Sequence, residues 1–164
     1  MIHLVSGDIL HSRAAALAHG VAPADHFDSG LALALRERWP AMVKDFRHYC
    51  HVAHPKPGDA WVWAGADGRR IVNLLTQEPA PDHHARPGRA TVAHVNHALR
   101  DLRRIAEKEG FRSLALPRLA TGVGGLDWKE VRPLIERHLG DLDQPIYVYE
   151  TYRPDVKAEE PAES

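Results

Sequence analysis

The stretch LALPRLATGVGGLDW, residues 114–128, is the part of the sequence that decides the fold. It begins with an apolar run typical of a buried strand, and this run ends at Pro117 before a loop with three glycines. A helix is predicted to follow, because Asp127 and Glu130 have the spacing of a capping box. Glycines let backbone N–H groups converge on one point, and the N-terminus of a helix is positive. The stretch therefore predicts an anion-binding loop.

This loop matches neither of two familiar phosphate-binding motifs. A P-loop requires Lys and then Ser or Thr after its last glycine, whereas Gly125 is followed by Leu126. A dinucleotide fingerprint requires a third glycine at a fixed spacing, early in a βαβ unit, and this stretch comes late. Asp127 has two interpretations, a catalytic acid or a helix cap, and the spacing to Glu130 favours the cap.

Outward from this stretch, apolar runs alternate with helical patterns. They predict an α/β fold, a three-layer α/β/α sandwich with a central mixed sheet. Strands are expected within IHLVSGDI, AALAHGV, AWVWA, RIVNLLT, RSLALP and PIYVYETY. Helices are expected from Gly30, from Pro40, from Asp127 and over residues 90–110, where Val92, Val95, Leu99, Leu102 and Ile105 form one stripe that Gly110 ends. In such sheets ligands bind beyond the carboxyl ends of the strands.

Composition excludes several classes of protein. The 164 residues carry a formal net charge of −1, unlike a basic protein that coats nucleic acid. Cys50 is the single cysteine, so an internal disulfide framework is excluded. No apolar run approaches a membrane span, and the N-terminus does not have the pattern of a signal peptide. We expect a soluble, cytoplasmic monomer with one domain over residues 1–153 and an acidic, disordered tail over residues 154–164.

Several stretches, in their order, resemble the macrodomain family. They are SGDIL, LAHGV, SGLALALRERWPAM, IVNLLTQ, LALPRLATGVGGLDWKEVRPLIERHLG and IYVYE, and they lie within residues 2–152. Within the family the resemblance is to the branch that contains the terminal ADP-ribose glycohydrolase and the DarG-type antitoxin macrodomains. It implies a cleft above the sheet that binds ADP-ribose, with no cofactor and no metal ion.

The resemblance also implies which residues bind this ligand. Asp8 would accept the adenine amino group, although a turn residue is the alternative. The segment that begins at Ser29 and the loop 121–125 would wrap the diphosphate from two sides. Tyr152 is a wall of the ligand or an edge aromatic. The full implied set is Asp8, Ile9, His19, Ser29, Gly30, Leu31, Ala32, Thr76, Leu119, Thr121, Gly122, Val123, Gly124, Gly125 and Tyr152.

The sequence departs from this branch at three positions. Gln77 stands where the glycohydrolase has a catalytic lysine, Gly124 where it has an aspartate, and Ala22 where many macrodomains have an asparagine. An amide nitrogen is not a nucleophilic amine, so a covalent lysine-type intermediate is excluded. Catalysis would then use direct attack of water on C1″, with Gln77 holding the water.

Other residues are candidates for acid–base or acceptor roles. Asp28 is a base or a cap of the next helix, and His83 or His84 is a base or a surface histidine. Arg86 and Arg89 would meet acceptor phosphates or are solvated loop residues. The twelve histidines make no metal-binding spacing.

Three functions remain open from the sequence. The first is an ADP-ribosyl hydrolase that acts on ADP-ribosylated protein at a carboxylate or on ADP-ribosylated DNA at thymidine, in the reversal of ADP-ribosylation. The second is an ADP-ribose-binding module without turnover. The third is the processing of a small derivative such as ADP-ribose 1″-phosphate.

Overall fold

One six-stranded sheet organises the protein, whose computed structural model describes residues 1–162. The strands are β1 (Ile2–Gly7), β2 (Ala16–Val21), β3 (Ala60–Ala64), β4 (Arg70–Leu75), β5 (Leu114–Pro117) and β6 (Ile146–Tyr152). Their order across the sheet is β1-β6-β5-β2-β4-β3. Neighbours pair in parallel except β3, which is antiparallel to β4. All six predicted strands and the mixed sheet are confirmed.

The helices also follow the sequence pattern. They are α1 (Gly30–Arg38), α2 (Pro40–Ala53), α3 (Val92–Glu109) and α4 (Trp128–Leu139), with a short 3₁₀ turn at Ile9–His11. Pro40 occupies the first turn of α2, and Gly110 ends α3 in the left-handed conformation at φ 66°. The stripe on α3 is buried except near its ends, since Val92 at the first position is 40% exposed.

Two apolar cores lie on opposite faces of the sheet. One packs α3 and α4 against residues such as Val72 and Leu116. The other packs α1 and α2 against residues such as Leu17 and Ile71. Alternate residues of β2 and β4 serve the two cores, because successive side chains of a strand point to opposite faces. The expected three layers are therefore confirmed.

The topology brings five strand ends to one edge of the sheet. Because β1, β6, β5, β2 and β4 are parallel, their carboxyl ends and the loops that follow them lie together. Among the described residues, no helix is long and apolar enough to cross a membrane.

The tail differs from the disorder expected for residues 154–164. Glu160 accepts hydrogen bonds from Ser12 Oγ at 2.6 Å and from Tyr149 Oη at 2.8 Å, and Tyr147 Oη donates to Pro161 O at 2.6 Å. Residues 155–161 thus pack against the sheet, since the hydroxyls of Tyr147 and Tyr149 on β6 take their acceptors from the tail. The last two residues of the predicted tail, 163 and 164, lie outside the described residues.

Candidate functional site

A cavity of about 570 Å³ opens at the carboxyl ends of the parallel strands. We call residues 22–32, between β2 and the first turn of α1, the α1 wall. Residues 117–127, between β5 and α4, form the α4 wall. Gln77, which follows β4, and His19 of β2 line the cavity between the two walls. Residues 80–87 close the remaining side.

The α1 wall is shaped by one carboxylate and one buried ring. Asp25 accepts hydrogen bonds from the backbone N–H groups of Ala22 at 3.0 Å and of Phe27 at 2.8 Å. The Phe27 ring is fully buried, with its centroid 5.3 Å from that of Phe46. Ala24 and Phe27 have φ angles of 56° and 58°, which non-glycine residues rarely adopt. Sequence reasoning missed Asp25 and Phe27; an aspartate two residues before the N–H group that it binds is the available signal.

The first turn of α1 faces the cavity. Gly30, Leu31 and Ala32 all line it. The first N–H groups of a helix have no acceptor within the helix. Ser29 is the N-cap, and its side chain forms no capping hydrogen bond within the described residues. This end of α1 is therefore available to an anion.

Asp28 does not cap α1, which was one of the two roles predicted for it; its carboxylate pairs with an arginine. Arg36 Nη1 donates to Asp28 Oδ1 at 2.7 Å, and Ser29, not Asp28, is the N-cap. Asp28 also lines the cavity, and its role as a general base stays a prediction.

The α4 wall is held by backbone hydrogen bonds. Leu126 N donates to Ala120 O at 2.9 Å, and Gly124 O accepts from Ala90 N at 3.0 Å. A Cβ atom on Gly124 would lie 2.7 Å from Ala120 O, so the backbone there leaves no room for a side chain. Gly122, in contrast, has no neighbouring described atom within 4 Å of such a Cβ. Ala120 has φ 61°.

The N-terminus of α4 is closed by its own side chain. Asp127 is the N-cap, and its carboxylate accepts from Lys129 N at 2.9 Å. The predicted cap is confirmed. The positive end of the α4 dipole, which the sequence suggested as part of the anion site, is thus already neutralised by the carboxylate of Asp127.

Gln77 is the polar group between the walls. It is 5% exposed, and its Nε2 donates to Gly88 O at 3.1 Å. Its backbone pairs with Ala90 in an isolated bridge, which closes the base of the loop 78–89. The amide oxygen Oε1 remains as a hydrogen-bond acceptor.

His19 lines the same cavity as Gln77 and is buried. Its Nε2 lies 2.7 Å from Asn73 Oδ1, and its ring packs against Phe27. Burial lowers the pKa of His19 to about 4, although Asn73 and the charge of Asp25 oppose this shift. The imidazole is therefore neutral at pH 7, and it donates from Nε2. Thr76, another predicted ligand residue, is fully buried and does not line the cavity.

The loop 78–89 places its two candidate histidines differently with respect to the cavity. The cavity is lined by His84 and Arg86, whereas His83 is exposed and outside the lining. The predicted role of His83 as a base is therefore not supported by its position. Arg89 donates to Gly125 O at 3.3 Å and so braces the α4 wall.

Most of the predicted ligand residues fall into two groups, and Thr76, which is buried outside the cavity lining, belongs to neither. Among the residues that line the cavity are His19, Ser29, Gly30, Leu31, Ala32, Leu119, Gly122, Val123 and Gly124. Thr121 and Gly125 belong to the same loop without lining the cavity; Thr121 Oγ1 donates to Arg118 O at 2.9 Å.

The second group comprises Asp8, Ile9 and Tyr152, at the ends of β1 and β6. Asp8 is 4% exposed; its Oδ1 accepts from Leu10 N and its Oδ2 from Asp155 N, each at 3.0 Å. Ile9 is packed in the apolar core, and Tyr152 is 65% exposed. These three residues lie outside the cavity lining.

Known proteins with similar sequences and structures carry macrodomains. A DNA ADP-ribosyl glycohydrolase of Mycobacterium bovis is 30% identical over 153 residues, which cover 90% of this chain and 42% of that protein. A DNA ADP-ribosyl transferase-DNA ADP-ribosyl glycohydrolase fusion protein of Thermosipho africanus is 28% identical, over 95% of this chain and 44% of that protein. The chain thus spans less than half the length of these curated relatives.

A solved structure and a family model agree with these relatives. The macrodomain of Thermus aquaticus DarG superposes with a TM-score of 0.79 at 27% identity, covering 92% of this chain and 98% of that chain. The model of the Macro domain family matches residues 16–135, well over half of the chain. This match includes both walls of the cavity and Gln77, so the chain belongs to the Macro domain family.

Proposed function

We propose that the chain binds ADP-ribose in the cavity and hydrolyses the bond between C1″ of the distal ribose and an acceptor, without a lysine intermediate. The observation that carries this proposal is the juxtaposition of an uncapped helix N-terminus with Gln77 across one cavity of about 570 Å³. That volume lies within the roughly 300–1,000 Å³ of small-molecule sites.

The two walls suit different parts of this ligand. The diphosphate would lie on the first turn of α1, where free N–H groups and the helix dipole favour an anion. The loop around Gly122 would approach it from the α4 wall, because no side chain of that glycine intervenes. The distal ribose would then extend towards Gln77, beside the neutral ring of His19.

Gln77 would position the attacking water. Its Nε2 is held by Gly88 O, so Oε1 is the atom left to accept a hydrogen bond from water. A phosphate oxygen of the ligand would accept a hydrogen bond from the other O–H group of the same water. The water oxygen attacks C1″, the bond from C1″ to the acceptor breaks, and the acceptor leaves with the bonding electrons and receives the proton that the water loses. Nearby phosphate charge would stabilise the oxocarbenium-like transition state.

The acceptor is proposed to be thymidine in DNA. Support comes from the names of the relatives, which are DNA ADP-ribosyl glycohydrolases. Arg86 lines the cavity and is exposed, which supports a contact with a phosphate of the acceptor strand as part of the proposal. A protein carboxylate and a small 1″-derivative are the alternative acceptors.

A reader of ADP-ribose is the second candidate function. It is favoured by Gly124, where the lack of room for any side chain excludes an aspartate like that of the glycohydrolase branch. Together with Gln77 in the place of lysine, this leaves a binding cavity with no side chain that acts as a nucleophile.

The test is a turnover assay that releases ADP-ribose from single-stranded DNA modified on thymidine and, in parallel, from protein modified on glutamate. Gln77→Leu removes the acceptor that would hold the water. Gln144→Leu is the matched control, because the chain has two glutamines and Gln144 also donates to a backbone carbonyl, Phe111 O, at 3.3 Å. Gly124→Glu fills the loop and serves as the binding-dead variant.

We expect the wild type and Gln144→Leu to release ADP-ribose from the DNA, and Gln77→Leu to be slower by about a hundredfold, a typical loss for a positioning group. Release from neither substrate, together with tight binding of free ADP-ribose, would establish the reader instead. Equal rates in Gln77→Leu and Gln144→Leu would exclude Gln77 as the residue that holds the water.

A further inference from the structure

We propose that residues 155–161, which we call the strap, are an autoinhibitory segment that covers the adenine end of the cleft and must leave before Asp8 can bind a purine. This inference rests on the proposed binding of ADP-ribose. It concerns the part of the expected ligand site at the ends of β1 and β6, which lies outside the cavity lining.

The backbone of the strap offers Asp8 the same hydrogen bonds that an adenine edge would offer. Asp155 N–H donates to Asp8 Oδ2 at 3.0 Å, and Val156 C=O accepts from Asp8 N–H at 2.7 Å. A donor beside an acceptor is also the pattern of adenine, whose amino group lies next to a ring nitrogen. The strap and the base therefore compete for one set of partners.

The strap packs so closely against the end of β1 that no purine ring fits between them. A Cβ atom on Gly7 would lie 2.8 Å from both Val156 O and Ala158 N, so the strap runs directly against the end of β1. Asp8, the next residue, is buried under it. A purine cannot reach the Asp8 carboxylate while the strap is in place.

The strap is anchored at its far end by polar contacts. Glu160 accepts from Ser12 Oγ at 2.6 Å, from Arg13 N at 2.8 Å and from Tyr149 Oη at 2.8 Å. Val156 is exposed, and Ala158 is the strap residue that packs against the apolar core. A segment with few buried apolar contacts opens at low cost, which makes the strap releasable.

The experiment compares four variants with the full chain by calorimetric titration. One ends at Pro154 and lacks the strap. The second, Glu160→Ala, keeps the strap and removes its anchor, and Glu159→Ala is its matched control at an exposed neighbour. The fourth, Asp155→Ala, keeps the backbone donor to Asp8 and tests for a side-chain effect. Buffers contain EDTA, because Asp8, His11 and Asp155 each bring a ligand atom within 4.8 Å of the others, where a cation would bridge them.

Two ligands separate the strap from the site itself. ADP-ribose carries the purine, whereas ribose 5-phosphate does not. Removal of the strap is expected to lower the Kd for ADP-ribose about tenfold, the gain when a site that is open about a tenth of the time becomes fully open. Glu160→Ala gives a smaller decrease, while Glu159→Ala and Asp155→Ala match the full chain. The Kd for ribose 5-phosphate is the same for every chain.

Each other outcome counts against the proposal. An unchanged Kd for ADP-ribose in both the truncated chain and Glu160→Ala would mean that the strap does not compete. A higher Kd in both would mean that the strap builds the adenine site. Binding of neither ligand by any chain would overturn the proposed function and the strap together, which distinguishes that failure from the first two.

Discussion

The two helices that flank the cleft differ at their N-termini. In α4 the carboxylate of Asp127 accepts from Lys129 N at 2.9 Å, so the positive end of that helix is neutralised by its own chain. In α1 the side chain of Ser29 forms no such bond within the described residues, and Gly30 faces the cavity. A capped helix end stabilises the fold, whereas an uncapped one keeps its N–H groups for a ligand. The proposed anion site therefore lies at the N-terminus of α1, and α4 contributes to it only the loop that precedes the helix.

The largest expected effect concerns the support of the α1 wall. The pKa of His19 is about 4 in the fold and about 6.5 when unfolded, so the unfolded chain binds more protons between these values. The neutral ring makes its full contribution to the free energy of unfolding above about pH 6.5. As the pH falls towards 4, the free energy of unfolding decreases by about 3 kcal/mol. Denaturant unfolding at pH 7 and pH 4 measures it.

His19→Gln is the control for this pH dependence, because glutamine does not titrate. The difference in unfolding free energy between the two pH values should shrink by the same amount in His19→Gln. If wild type and variant lose equal stability on acidification, the ring of His19 is not buried in its neutral form.

The second effect comes from giving α1 the cap that α4 has. Ser29→Asp places a carboxylate at the N-cap of α1, where it would repel the diphosphate and occupy its N–H groups. We expect the Kd for ADP-ribose to rise about thirtyfold, or about 2 kcal/mol, by isothermal titration. Ser29→Asn caps without charge and should lose less. Unchanged binding in Ser29→Asp would place the anion elsewhere.

A third, smaller effect concerns the α4 wall. Gly124→Ala puts a Cβ atom 2.7 Å from Ala120 O, so the loop must shift. The Kd for ADP-ribose is expected to rise about tenfold, or about 1.4 kcal/mol. Gly122→Ala is the comparison within the same loop, because its Cβ has no described neighbour within 4 Å and so adds a methyl group without forcing the backbone to shift. An affinity equal to that of the wild type in both variants would mean that the loop does not contact the ligand.

The smallest effect comes from removing the cap of α4. Asp127→Ala should lower the free energy of unfolding by about 1 kcal/mol, since a helix loses its N-cap. The Kd for ADP-ribose should not change, because the α4 N-terminus lies outside the cavity lining. Asp127→Asn retains a capping oxygen and should keep the stability. A large loss of binding in Asp127→Ala would instead make Asp127 a residue of the binding site.

Sequence reasoning predicted the elements well because their signals are local. Pro40 and Gly110 mark helix ends, and Asp127 is the cap that its spacing to Glu130 indicated. The site was harder to predict, since its shape depends on contacts between distant residues. Nothing near Asp28 in the sequence shows that the guanidinium of Arg36, eight residues later on α1, pairs with the Asp28 carboxylate.

The tail shows the same limit more clearly. Its composition is that of a disordered segment, with few apolar residues. Its place in the fold comes from contacts with Asp8 and Tyr149. Asp155 N donates to Asp8 across 147 residues, and Tyr149 donates to Glu160 across 11 residues. Composition alone does not reveal such partners, because the hydrogen bonds that order the strap are specific to single side chains.

The positive φ angles of Ala24, Phe27 and Ala120 have a consequence for engineering. All three belong to the walls of the cavity, where a non-glycine residue holds a conformation that glycine adopts without cost. Ala24→Gly or Ala120→Gly would relieve this strain but also loosen the wall. Selection for heat resistance would therefore enrich such replacements around the cleft. The variants with the highest thermal stability would be those that bind the ligand most weakly.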